Sequence, residues 1–203
     1  MNPIFVPSTR FVAAFTYACQ LHAGQARKGT TIPYVSHLMA VAALVMEHGG
    51  DEDQAIAALL HDAIEDQNHD GSVPGELEKR FGSRVRTLVE GCSDSEGPVK
   101  ARWRTRKEQY LNHLSHAPGE VLLISAADKL HNARAILADY RTVGDELWKR
   151  FNAGREDQLW YYRRLVDALR HADAQDQARS LVDELDEVVT ELEREAASRT
   201  SSR

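Results

Sequence analysis

The chain has 203 residues, 42% hydrophobic and 28% charged, with 25 Lys and Arg against 31 Asp and Glu for a formal net charge of −6. These values suit one soluble globular domain with a real core and exclude a wholly disordered chain. The acidic balance also argues against general duplex binding, which shows as a strongly basic domain.

The periodicity is helical nearly throughout. Ser8 is placed to cap a helix from Thr9 to near Gly24, with Phe11, Ala14, Phe15, Ala18 and Leu21 on one face. An irregular loop, Gln25 to Pro33, precedes a second helix from about His37 to Glu47, stopped by Gly49 and Gly50. Asp51 starts a third helix, whose apolar run Ala55 to Leu60 leads into His61-Asp62-Ala63-Ile64-Glu65-Asp66. Two short helices flank Gly82, and Gly91 to Val99 reads as a loop. Helices follow over about Arg104–Leu114, Glu120–Tyr140, Gln158–Arg170 and Ala174–Ala197. The expected fold is all-α, a helical bundle in a single domain (1–172) with an acidic C-terminal helix and frayed tail (173–203). Leu181, Leu185, Val188, Val189 and Leu192 favour docking of that helix on the body.

Cys19 and Cys92 have no CxxC spacing and read as reduced, partly buried small residues. No run reaches the ~20 apolar residues of a membrane span. The N-terminal stretch lacks the charged and apolar regions of a signal peptide. A cytoplasmic chain with no membrane or nucleic-acid partner is expected, either monomer or homodimer.

The chemistry gathers at His61 to Asp66. Read as one continuous helix, Glu65 lies one turn beyond His61 and Asp66 one turn beyond Asp62, which collects four ionisable groups behind an apolar segment. Burying such charges is costly unless a partner is present, and a divalent cation is an efficient one. His37 opens another helix, and Asp128 interrupts the apolar stretch Val121 to Ala127. Asn132 lies one turn beyond Asp128. A His, a His-Asp pair and a distant Asp are the ligand set of an HD-type metal site.

Four segments carry a resemblance: His22 to Lys28, Pro33 to His37, Ala58 to Asp66, and Ala127 to Asn132. In that order and spacing they resemble the hydrolase half of the RelA/SpoT homologues, over roughly Thr9 to Arg170. The resemblance implies an HD-domain bundle, a small alarmone hydrolase, that removes the 3′-pyrophosphate from (p)ppGpp as pyrophosphate and leaves GDP or GTP. It implies His37, His61, Asp62 and Asp128 as ligands of one Mn²⁺ per chain, a mixed N/O set without thiolate. Glu65 and Asp66 map to its Glu-Asp pair, the candidates for the base, with neither preferred. Arg27 and Lys28 would meet base and phosphate, and Asn132 the sugar or base. His22 and His131 read as structural.

The run Lys100 to Lys107 holds five basic residues in eight and suits an electrostatic funnel for a polyanionic nucleotide, with Arg102 and Arg106 as phosphate contacts. Leu38 stands where the family commonly has proline, and Ser125-Ala126 where the long enzymes carry Lys-Leu. Both substitutions are expected to reshape the nucleotide pocket, which admits adenine alarmones such as (p)ppApp beside guanine ones. Two other readings share the motifs: an HD phosphohydrolase acting on the 2′-phosphate of NADPH or on other nucleotides, and a non-catalytic nucleotide-binding module.

Overall fold

A computed structural model describes residues 6–93 and 102–201. Among these the regular structure is helical, and the extended pairing is a single bridge between Ala26 and Pro33. The helices are α1 (Thr9–Leu21), α2 (Val35–Glu47), α3 (Glu52–Leu60), α4 (Ala63–Gln67), α5 (Val73–Phe81), α6 (Ser83–Cys92), α7 (Trp103–Leu114), α8 (Gly119–Val143), α9 (Arg155–Arg170) and α10 (Arg179–Ser201). Tight 3₁₀ turns at Gly144–Arg150 and Gln175–Ala178 join the last three.

Local chemistry accounts for the main starts and stops. Ser8 accepts a hydrogen bond from Arg10 N at 3.0 Å, capping α1. Asp51 and Gln54 form a reciprocal capping box on α3, a device whose loss costs about 0.5–2 kcal/mol. Gly144, at φ +60°, ends α8 in a conformation that disfavours a side chain. Helix α8 is the beam of the fold. It packs against α2, α6 and α10, and its buried face runs from Val121 to Tyr140.

Three expectations change. Helix α2 begins at Val35, two residues before His37, because its first turn is tightened by His37 N donating to Tyr34 O at 2.9 Å. Gly91 and Cys92 belong to α6 rather than to a loop. At Gly91 a Cβ would stand 2.8 Å from Val121 Cγ2, so this glycine is a close-packing point between α6 and α8. Ser93 follows as the residue that ends α6, and residues 94–101, the rest of that expected loop with Lys100 and Ala101, lie outside the described residues. The third change matters most: α3 stops at Leu60, and α4 starts afresh at Ala63. His61 and Asp62 therefore occupy a junction between two helices; Asp66 N donates to Asp62 O at 2.9 Å, so Asp66 keeps its place one turn beyond Asp62, while Glu65 and His61 no longer share one continuous helix.

Helix α10 lies along α8 and α9, with Leu181, Leu185, Val189, Leu192 and Ala196 buried in the common core. Burying each leucine stabilises by roughly 1.5–3 kcal/mol relative to exposure. Its polar face is tied down by Arg163 to Asp186 (2.5 Å) and Glu193 (2.6 Å), and by Arg141 to Glu195 (2.7 Å).

Candidate metal centre and cleft

The buried ends of α2, the α3–α4 junction and α8 converge on four side chains. His37 Nε2 lies 3.1 Å from Asp128 Oδ1 and 3.6 Å from Asp62 Oδ2. His61 Nε2 lies 3.0 Å from Asp62 Oδ2 and 3.6 Å from Asp128 Oδ1. All four belong to one knot of side chains, with both imidazoles almost wholly enclosed. Burial opposes charge at His61, yet Asp62 and Asp128 overcome it and hold its pKa well above the ordinary value. Burial likewise opposes ionisation of Asp128 and Asp62. Lys129 and His61 hold the first, and His61 holds the second, well below the carboxylate range.

Each member is oriented from behind. His61 Nδ1–H donates to the Ala58 carbonyl at 2.8 Å, which turns Nε2 inward. His37 Nδ1 and His131 Nδ1 are 2.8 Å apart. Burial, with His37 and Arg27 nearby, holds the His131 pKa down to about 4 and keeps it neutral; with His37 Nε2 serving as a metal donor, its proton would sit on Nδ1 and be donated to His131. Tyr34 Oη donates to Asp62 Oδ2 at 2.5 Å. Lys129 Nζ and Asn132 Nδ2 donate to Asp128 at 2.5 and 2.6 Å. The two inward Nε2 atoms are buried without a hydrogen-bond partner. His37, His61 and Asp128 meet the spacing of a metal group, and two imidazole nitrogens with a carboxylate fit a divalent cation. Asp62, expected as the fourth ligand, lies outside that group, with Oδ2 3.0 Å from His61 Nε2. The groups behind these side chains are of the kind that fix metal-ligand tautomers and orientation.

A cleft of about 710 Å³ lies against this group; its wall holds partners of Asp62, Asp128 and His37 but none of the four side chains themselves. Tyr34, Lys129, His131 and Asn132, which touch Asp62, Asp128, His37 and Asp128 respectively, all stand in its wall. The wall holds five cations, Arg27, Lys28, Lys107, Lys129 and Arg150, against the carboxylates Asp66 and Asp139, so it favours a polyanion. Arg27 Nη2 donates to Asn132 Oδ1 at 2.5 Å and lies 5.7 Å from the Tyr34 ring centre. Lys28 reaches Asn152 at 3.4 Å. Asp66 stands in the wall and accepts from Gln25 Nε2 at 2.8 Å, whereas Glu65 is not among the wall residues.

The basic run enters the cleft by a different face than expected. Trp103 and Lys107, one turn apart on α7, stand in the wall; Arg102 and Arg106, the expected pair, do not. Adjacent helical positions differ by about 100°, so Arg102 and Arg106 stand off the lining that Trp103 and Lys107 face. Leu38, Ser125 and Ala126 are all core residues, no more than 1% exposed and outside the wall, so these departures do not shape the pocket directly. Tyr34, Lys129 and His131, absent from the site residues expected from sequence, touch the group and stand in the wall; His131, read as structural, contacts His37 directly. Lys129 sits in an otherwise apolar buried helix beside Asp128, a signal that was available. Tyr161 Oη is buried without a hydrogen-bond partner, and Gln158 is 7% exposed; both belong to the wall.

An all-helical bundle that closes around a His, a His-Asp pair and a distant Asp defines a class of metal-site proteins. The chain belongs to the HD-domain family, whose model matches residues 14–159, and its relatives are of the RelA/SpoT type. Over 124 residues it is 36% identical to guanosine-3′,5′-bis(diphosphate) 3′-pyrophosphohydrolase MESH1 of Xenopus tropicalis, a match covering 60% of this chain and 66% of that protein. The Mus musculus protein of the same name is 34% identical over 132 residues, covering 63% and 69% of the two chains. The first match thus spans just under two thirds of its relative's length. A solved structure described as a metazoan ortholog of SpoT that hydrolyses ppGpp superposes with a TM-score of 0.72 at 28% identity, covering 92% of this chain and 97% of that one. No described helix is long and apolar enough to cross a membrane.

Proposed function

We propose that this protein is a Mn²⁺-dependent 3′-pyrophosphohydrolase of hyperphosphorylated purine nucleotides, (p)ppGpp or (p)ppApp. The observation that carries the reading is the buried group His37, His61 and Asp128, with half-buried Asp62 beside it, directly behind the wall of a cationic, aromatic cleft. The relatives' printed names add support through the activity assigned to those proteins.

When bound, a divalent cation supplies Lewis-acid polarisation of the phosphoryl group and acidification of water. The donor set, with nitrogen and oxygen and no thiolate, suits Mn²⁺ better than structural zinc. The protein's own groups do the rest. Arg27 and Lys28 hold nucleotide and phosphate, with Asn132 linking Arg27 to Asp128. Asp66 takes the proton of the attacking water. The Gln25 carboxamide that orients it has its oxygen occupied by Gln67 Nε2 at 2.7 Å, so its NH₂ faces the carboxylate. Lys107 and Lys129 draw the phosphate chain inward, and Tyr161 and Gln158 offer further donors. Water adds to phosphorus, the 3′-oxygen leaves as an alcohol, and pyrophosphate is released with GDP, GTP or the adenine equivalents.

The test is a product assay with Mn²⁺ in which ppGpp, ppApp, NADPH and dGTP are offered separately and products are resolved by anion exchange. Pyrophosphate with GDP or ADP is expected, and the faster substrate names the base. Orthophosphate from NADPH alone, or no turnover with metal bound, refutes the reading.

A further inference from the structure

Residues 144–152 reach across the cleft to the loop that carries Arg27 and Lys28. Gly29 has φ +72°, and a Cβ there would stand 2.6 Å from Arg150 Cδ and 2.9 Å from Arg150 Cγ. The aliphatic stem of Arg150 therefore lies directly against the loop backbone, at a point where any side chain would displace it. The far end of Arg150 is anchored: its Nη1 is 2.7 Å from Asp139 Oδ2 on α8. The next residues add a second tie, because Lys28 Nζ lies 5.9 Å from the Phe151 ring centre and 3.4 Å from Asn152 Oδ1. Inside the loop, Arg27 N donates to Ile32 O at 2.8 Å and Tyr34 N to Gln25 O at 2.9 Å, so the loop moves as one piece.

We propose that Arg150 is a positioning residue: pressed on Gly29 and held by Asp139, it sets where Arg27 and Lys28 meet the nucleotide. The proposal rests on the reading of Arg27 and Lys28 as substrate contacts. Arg150 acts here through the loop, and its role differs in sign from a direct ionic contact with phosphate. If Arg150 bound phosphate directly, neutralising Asp139 would free its charge, remove a cleft carboxylate and tighten substrate binding. If Arg150 holds the loop, the same change loosens the anchor and weakens binding.

Asp139→Asn in the full chain separates the two, with Arg150→Ala as companion; Asp139 is 43% exposed and its replacement leaves the core untouched. Amide hydrogen exchange at Arg27, Thr30 and Tyr34 is expected to quicken in both variants. KM for ppGpp is expected to rise about two- to fivefold with kcat held, the scale of a partly exposed ion pair. Unchanged exchange, or a KM that falls in Asp139→Asn, overturns the proposal. A wild-type chain inactive on ppGpp would refute the function proposed above, while the exchange measurement still decides the latch.

Discussion

The ligand group that floors the site behind the cleft lining, and the cleft wall itself, are built by opposite means. On the floor, the two imidazoles and Asp128 are each no more than 6% exposed, and their donors come from helices locked in the core. The wall includes solvent-reaching cations held by exposed polar contacts, such as Lys28 to Asn152 at 3.4 Å and Arg150 to Asp139 at 2.7 Å. Burial without alternatives fixes a metal's coordination, whereas exposed ion pairs contribute under about 1 kcal/mol and adapt to what arrives. The chemistry is therefore expected to be stringent and the substrate choice adjustable.

The sharpest way to break this contrast is on the floor. Asp62→Ala or Asp128→Ala is expected to remove the metal and lower activity by more than about 100-fold, beyond the range typical of outer-shell partners. Metal content by elemental analysis beside turnover checks it. Next, Asp66→Asn should keep the metal while cutting kcat by about 100-fold, the lower range for a lost general base. Glu65→Gln, from outside the wall, should cost far less; equal losses in the two would return Glu65 to the mechanism. Asn132→Ala cuts the tie between Arg27 and Asp128, and should weaken metal affinity about tenfold and raise KM together, as metal titration and steady-state kinetics would show. On the wall, Lys107→Ala should raise KM a few-fold, on the order of one exposed ionic contact, with Arg102→Ala near neutral. The reverse ranking would restore the face of α7 read from sequence.

The smallest effect lies away from both regions, on α10. Arg194 and Arg141 hold Glu191 down to about 2, and Arg163 and Arg170, against the cost of burial, hold Asp186 below the usual carboxylate range. Both folded-state pKa values are depressed, so their stabilisation is fully present above the unfolded carboxylate pKa of about 4. It is lost as pH falls from there toward about 2. Amide exchange along α10 should rise in that window before the α2–α3–α8 core opens.

Much of the floor was legible because burial leaves a mark in sequence. Asp128 stands out inside Val121 to Ala127, and the His61-Asp62 pair follows an apolar run. What was not legible is the helix break at that pair. Residues Glu52 to Gln67 carry no proline or glycine to announce it; a tertiary contact to Tyr34 places Asp62, and a local one to the Ala58 carbonyl turns His61. The wall was read less well, since its residues come from distant segments and their helical phase is set by packing. In α7 the choice between Arg102/Arg106 and Trp103/Lys107 turns on about 100° of rotation, and the ring contacts of Trp103 with Trp160 and Tyr161 decide it. Gly91 misled for a related reason: a glycine that lets two helices touch looks, in one dimension, like one that ends a helix.

Helix α3 is only nine residues long, and seven of them, Gln54 to Leu60, are buried. It therefore has almost no outer face on which mutations could accumulate neutrally. Substitutions in the loop at Gly29 or the turn at Arg150 would change how the nucleotide is met, whereas those in the strut that delivers His61 and Asp62 would disturb the core. New substrates should thus arise by editing the rim, and laboratory libraries aimed at altered nucleotide choice belong there.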